Sequence, residues 1–188
     1  MKYNLILASN SPRRRELLKG LDLDFQVKTL PGVDEVYPPE LPATEVAEYL
    51  ATLKAGFYLP DLQENELLIT ADTIVCLDGE IFGKPLDKAD AKRMLQALSG
   101  RTHQVMTGVC LMTQNKKTSF TSLSDVTFAE LEEAEIDYYL STYRPYDKAG
   151  AYGVQEWIGY VAVKHISGSY YNVMGLPIHR LYEELKQF

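Results

Sequence analysis

Two periods of apolar and polar residues alternate along this chain, and the switches between them mark out its elements. Residues 3–8 form an apolar run that reads as a buried strand, and Ser9, Asn10, Ser11 and Pro12 lead from it into a helix over residues 13–18. A second helix is predicted over residues 45–58 behind a Thr44 cap. It follows a proline-rich irregular stretch, residues 31–42, that is too long for a simple connector. Residues 67–77 read as a strand, and Asp78-Gly79 is the two-residue turn of a hairpin into residues 80–82. Asp87 then caps a helix whose apolar face is Ala91, Met94, Leu95 and Leu98, with Gly100 as its stop. Residues 102–112 and 118–128 are β-rich and joined by a polar stretch, which predicts a long antiparallel hairpin. A helix over 132–142, a strand over 157–166 and an amphipathic helix over 176–188 with Pro177 at its start complete the chain. Strands and helices alternate without internal repeats, so the expected class is α/β: a mixed β-sheet flanked by helices, in one domain over residues 1–188.

Composition agrees with a folded core, at 46% hydrophobic and 24% charged residues. No apolar run approaches the roughly 18 to 20 residues of a membrane span, and the apolar start is too short and strand-like for a signal peptide, so a cytosolic protein is expected. Cys76 and Cys110 lie in apolar β-rich stretches without C-x-x-C spacing and are read as buried, reduced thiols. The formal net charge of −7 disfavours long nucleic acid as a partner and means that a polyanionic ligand needs a local cluster of cations.

Such a cluster stands at the start of the first helix. Ser11 is a plausible N-cap and Pro12 takes the first helical position, so Arg13, Arg14 and Arg15 fall in the first turn. Cations at the positive end of a helix dipole cost a few tenths of a kcal/mol each, approximately. Their presence points to an anion held by backbone N–H groups, serine hydroxyls and guanidinium forks; the plainer alternative is a solvated basic turn with Arg13 paired to Glu16. Asp72 is the second candidate. It follows an apolar run, and a carboxylate there needs a cation or a proton; it suits Mg²⁺ ligation or proton abstraction from water, or, structurally, the capping of a turn. Asp34 and Glu35 in the irregular loop offer a further metal-facing carboxylate, though surface charges would look the same.

Lys84, in Gly83-Lys84-Pro85, does not belong to a P-loop: Gly79 stands one residue too close to Gly83, and Pro85 replaces the hydroxyl residue. It can meet phosphate only as an isolated point charge, and Lys54 has the same reading beside that of a solvated helix lysine. His103, His165 and His179 lack zinc spacing, and no G-x-S-x-G elbow is present.

Taken together, Leu7-Ala8-Ser9-Asn10-Ser11-Pro12-Arg13-Arg14, Ala71-Asp72-Thr73, Gly83-Lys84-Pro85, Leu98-Ser99-Gly100 and residues 147–155 resemble the Maf family of nucleoside triphosphate pyrophosphatases. Gly168-Ser169-Tyr170 and Val173-Met174-Gly175-Leu176-Pro177 extend the likeness almost end to end. The resemblance implies two lobes around a central cleft and hydrolysis of a nucleoside triphosphate to monophosphate and pyrophosphate with Mg²⁺ or Mn²⁺. Asp72 matches the family's catalytic base and metal-facing acid, and Ser9, Arg14, Glu35, Lys54 and Lys84 match its phosphate- and metal-handling positions.

Arg13, Thr73 and Gln155 match the positions that divide the family by base, and this combination resembles the dTTP/UTP branch. The branch acting on 7-methyl-GTP usually has Trp, Gln and Glu there, and Cys-Ala-Gly where this chain has Lys148-Ala149-Gly150. A neutral Gln155 can both donate to and accept from a uracil or thymine edge. One departure is Glu156-Trp157, where many members have glycine after the glutamine. A non-catalytic nucleotide-binding regulator linked to cell division, and a phosphatase removing single phosphates, are the alternative readings; a homodimer is an open arrangement.

Overall fold

In the structure, a computed structural model describing residues 2–30 and 35–188, the first apolar run forms β1 (Asn4–Leu7), whose Leu5, Ile6 and Leu7 are buried. Ser11 caps α1 (Pro12–Lys19) with its side chain, accepting from the Arg14 N–H, and Pro12 holds the first helical position as expected. The chain returns through β2 (Phe25–Val27), too short and too exposed to show in the apolar pattern, and pairs in parallel with β1. α2 (Ala43–Tyr58) starts one residue before the expected Thr44 cap. Pro42 stands at the N-cap without a side-chain bond, its carbonyl taken by the Glu45 N–H at 2.9 Å. A 3₁₀ turn over Leu59–Asp61 follows.

β3 (Glu66–Leu77) is parallel to β1 through residues 66–69 and antiparallel to β4 (Glu80–Phe82) through residues 75–77. The turn between them has φ of 51° at Asp78 and 86° at Gly79, both left-handed, as a two-residue turn between strands of natural twist requires. α3 (Lys88–Leu98) is capped by Asp87 and buries Ala91, Met94, Leu95 and Leu98, the predicted face; Gly100, at φ 69°, reverses the chain behind it. β5 (Thr102–Met112) and β6 (Lys117–Phe128) are joined through residues 113–116, closed by the Thr113 N–H on the Lys116 carbonyl at 2.8 Å. α4 (Glu133–Tyr143) carries a capping box of Glu132 and Glu135.

Residues 157–166 depart from expectation: they form α5 (Trp157–Ala162) and then β7 (Val163–Ser167). Ile158 and Ala162, four apart, are both buried, a helical spacing that a short continuous apolar run disguises as a strand. Gly159 permits the turn, since a Cβ there would lie 1.7 Å from the Val154 carbonyl oxygen. The expected C-terminal helix over 176–188 is confined to α7 (Ile178–Leu185), preceded by the short α6 (Tyr170–Met174), with Pro177 at the N-cap rather than inside the helix.

The sheet is mixed and seven-stranded, in the order β2-β1-β3-β5-β6-β7 with β4 on β3. The chain divides into two compact units: residues 1–73, 107–122 and 175–188, and residues 74–106 and 123–174. In the first, Ala51 and Ala55 of α2 pack on Ile6, Leu68, Cys110 and Met112. Gly108 lets α2 approach β5, because a Cβ there would lie 2.2 Å from the Ala47 carbonyl. In the second, Leu95 and Leu98 of α3 and Tyr139 and Leu140 of α4 pack with Val75, Phe82, Val126 and Phe128. Cys76 and Cys110 are free and buried, and burial pushes the Cys110 thiol up to about 11. No helix among the described residues is long and apolar enough to cross a membrane.

His103 is buried in the second unit, edge-on to Phe128, with Nε2 at 2.7 Å from the Tyr152 hydroxyl and Nδ1 without a hydrogen-bond partner. A second proton would sit in apolar surroundings, so burial lowers its pKa from 6.5 to about 4. The unfolded chain therefore binds a proton that the folded chain refuses between those values, and this contribution to stability is lost as pH falls from about 6.5 toward 4. At about 1.4 kcal/mol per pH unit, urea unfolding should show the parent losing about 3 kcal/mol more than His103→Phe between pH 7.5 and pH 4. Equal losses in the two proteins would contradict this.

Candidate active site

β1 and β3 run in parallel, with Leu7 opposite Ile69, and the chain leaves the sheet after Ala8 to enter α1. Residues 9–11 consequently lie beside residues 71–73, beyond the carboxyl end of β1, the usual place for ligand sites in such sheets. The Ala8 N–H takes the Ile69 carbonyl at 2.9 Å. Two residues on, the Ala71 carbonyl points the same way but β1 has ended, and Arg14 Nη1 takes it at 2.8 Å.

Arg14 also donates from Nε to the Gly175 carbonyl at 2.8 Å and from Nη2 to Thr73 Oγ1 at 3.0 Å. Thr73 Oγ1 also shares a hydrogen bond with Thr107 Oγ1, 2.9 Å away and fully buried. Burial lowers the pKa of Arg14, opposed chiefly by the Asp72 charge, and Arg13 lowers it further; the group stays charged. Ser9 is buried, with Oγ accepting from the Ser11 N–H at 3.2 Å and its carbonyl accepting from Arg15 at 3.4 Å. Arg13 is half-buried on the same turn.

Asp72 lies in the middle of β3 rather than at its end and is 8% exposed. Thr70 and Asp72, two apart, face α2: Thr70 Oγ1 donates to the Ala51 carbonyl at 2.7 Å, and Lys54, one turn after Ala51, donates from Nζ to Asp72 Oδ1 at 2.6 Å. Lys54 Nζ is also 2.9 Å from Glu35 Oε1. Lys54 is thus no solvated helix lysine: its side chain is 15% exposed, against 11% for Asp72 and 42% for Glu35. Asp34 lies outside the described residues. Among the described residues no group of three His, Cys, Asp or Glu side chains is arranged around a metal position, so protein ligands to a divalent ion here would be the carboxylates of Asp72 and Glu35. Two carboxylates, with water and phosphate completing the shell, are the donor set that Mg²⁺ ordinarily accepts.

Ser9, Arg13, Arg14, Glu35, Lys54, Asp72 and Thr73 all fall in the first unit; Lys84 and Gln155 fall in the second. Lys84 is exposed in a loop tied down by the Gly150 N–H on the Gly83 carbonyl at 3.1 Å. Gln155 is half-buried, and its Oε1 is buried without a hydrogen-bond partner. Sequence reasoning missed Thr107, the Gly175 carbonyl and the side chains around Gln155, all of which depend on contacts between distant residues. The one available signal was Lys148, a lysine followed immediately by small residues and an apolar segment.

A family model described as Maf-like protein matches residues 4–188. A relative from Phocaeicola vulgatus named dTTP/UTP pyrophosphatase is 59% identical over 186 residues, covering 99% of this chain and 96% of its own. One from Bacteroides thetaiotaomicron with the same name is 60% identical over the same coverage. Among solved structures, the Staphylococcus aureus Ham1 protein has a TM-score of 0.58 at 18% identity, covering 98% of each chain, a likeness of fold.

Replacing Arg14 by Lys keeps the charge but removes the planar fork, leaving at least two of its three acceptors unmet. Arg14→Lys should lower stability by about 2–4 kcal/mol in urea unfolding, at roughly 1–3 kcal/mol per unsatisfied group. A change within about 0.5 kcal/mol of the parent would show that this bracket does not hold β3.

Proposed function

Because this chain belongs to the Maf-like protein family, we propose that it is a nucleoside triphosphate pyrophosphatase acting on dTTP and UTP, and on modified pyrimidine nucleotides of the same edge chemistry. The observation that carries the assignment is the buried Asp72 carboxylate, held by Lys54 beside Glu35, next to the loop and helix start that present Ser9, Arg13 and Arg14. Water attacks the α-phosphorus: an oxygen–phosphorus bond forms, the bond from the α-phosphorus to the bridging oxygen breaks, and pyrophosphate departs with the monophosphate left behind. Asp72 receives the proton of the attacking water.

Lys54, Arg13 and Lys84 supply positive charge to the phosphates, and Ser9 supplies a hydroxyl. Arg14 contributes its charge from a fixed position, since three of its N–H groups donate to protein oxygens. Mg²⁺ or Mn²⁺, held by Asp72 and Glu35, would neutralise phosphate charge when bound. Lys54, 2.6 Å from Asp72 and 2.9 Å from Glu35, would share these carboxylates with such an ion.

The base end is read by Gln155. A buried amide oxygen without a partner is costly in isolation and is satisfied by a ligand donor. The N3–H of uracil or thymine is such a donor, and the amide N–H₂ can answer the neighbouring carbonyl.

Asp72→Asn, close in shape, should lower kcat for dTTP by about 10²- to 10⁴-fold, measured as pyrophosphate released. Turnover at the parental rate would remove Asp72 from the mechanism, and release of orthophosphate in place of pyrophosphate would overturn the reaction assigned. Gln155→Glu removes the donor half of the amide and should cut kcat/KM for dTTP and UTP relative to purine triphosphates by about tenfold or more; an unaltered substrate profile would refute the pocket assignment.

A further inference from the structure

Beside Gln155 lies an ionic network to which the proposed reaction assigns no role. Lys148 is 8% exposed, an unusual burial for a lysine, and its Nζ lies 3.1 Å from Glu156 Oε1 and 2.8 Å from Asp147 Oδ1. The other Glu156 oxygen accepts a short hydrogen bond from the hydroxyl of Tyr139, which is fully buried in the core. That hydroxyl in turn accepts from the Gly153 N–H at 3.0 Å. Burial, and then the Glu156 hydrogen bond, raise the Tyr139 pKa, so the phenol stays a donor. Both carboxylate oxygens of Glu156 are therefore fixed, one by a cation and one by a phenol anchored in α4.

The network acts on Gln155 through Gly153. A Cβ at Gly153 would lie 3.0 Å from Gln155 Nε2, 3.0 Å from Glu156 Cδ and 3.1 Å from Glu156 Oε2. The amide nitrogen of Gln155 and the carboxylate of Glu156 thus lie over the same α-carbon, and the amide oxygen is buried without a hydrogen-bond partner. An amide nitrogen is held on the side of a fixed negative charge and its oxygen is turned away, by simple charge–dipole attraction.

That orientation matters because an amide read from its two ends distinguishes pyrimidines. Uracil and thymine present a donor at N3 and an acceptor at O4; cytosine presents an acceptor at N3 and a donor at N4. An amide free to flip can satisfy either pattern, and one locked with its oxygen at a single place satisfies only one.

We infer that Glu156, braced by Lys148 and Tyr139, is a positioning residue that locks the Gln155 amide and thereby sets discrimination of uracil and thymine from cytosine. This rests on the base-reading role given to Gln155 above.

The test compares kcat/KM for UTP and CTP in the full chain with Mg²⁺, for the parent, Glu156→Gln and Tyr139→Phe. The parent should favour UTP. Glu156→Gln, with a neutral group that tolerates either amide orientation, should lower the UTP-to-CTP ratio by about tenfold, through a lower KM for CTP and a higher one for UTP rather than through kcat. Tyr139→Phe, which keeps the ring in the core, should lower it about threefold and guards against misfolding of the first variant. A ratio unchanged in both folded variants, or a parent that does not discriminate the two nucleotides, overturns the inference while leaving the pyrophosphatase assignment intact. A parent that hydrolyses neither UTP nor dTTP overturns that assignment as well.

Discussion

A carboxylate in the middle of a buried strand requires a nearby cation, and the pairing of Asp72 with Lys54 meets that requirement. The pair dictates much of the local architecture. β3 must turn the face bearing Thr70 and Asp72 toward α2, and α2 must lie close enough for Ala51 and Lys54, one turn apart, to meet them. That approach depends on small residues: Ala47, Ala51 and Ala55 along the helix, and Gly108 on β5, where any side chain would strike the Ala47 carbonyl. Glu35 adds a second carboxylate on the same ammonium, and two carboxylates are a donor set that a divalent ion accepts.

Positive charge meets this arrangement from the other side of the same strand. In a molecule of net charge −7, the arginines that open α1 are a local exception to the general field. Arg14 is less a free phosphate ligand than a clamp, since it takes the carbonyl that β1 would have taken had it continued and joins it to Thr73 and Gly175. Asp72 is flanked by the two residues so clamped, which holds its backbone in place. A second set of contacts does the corresponding service for Gln155, where Lys148, Glu156 and Tyr139 meet around Gly153.

Features governed by short-range rules were legible in the sequence. The Ser11 cap, Pro12 at the first helical position, the Asp78-Gly79 turn, the Asp87 cap and the buried face of α3 follow from local backbone chemistry and periodicity, and all appear as expected. The charge conflict at the start of α1 and the carboxylate within an apolar run likewise marked the residues that the structure gathers in the first unit. Long-range features were not legible. Nothing local tells Arg14 that the Gly175 carbonyl, 161 residues away, will be its partner, or that Lys148 will be buried against Glu156. Residues 157–162 misled because the run is apolar throughout, so no polar positions set off the helical spacing of the buried Ile158 and Ala162. Thr44 failed as a cap because Pro42 already set the entry of the chain into α2.

In the absence of substrate, Lys54 and Asp72 are energetically coupled to one another. A double-mutant cycle of Lys54→Met and Asp72→Asn, read by urea unfolding in metal-free buffer, measures that directly. A coupling energy of about 1–3 kcal/mol is expected, with the double variant destabilised by that much less than the sum of the two single variants. A coupling indistinguishable from zero would contradict it.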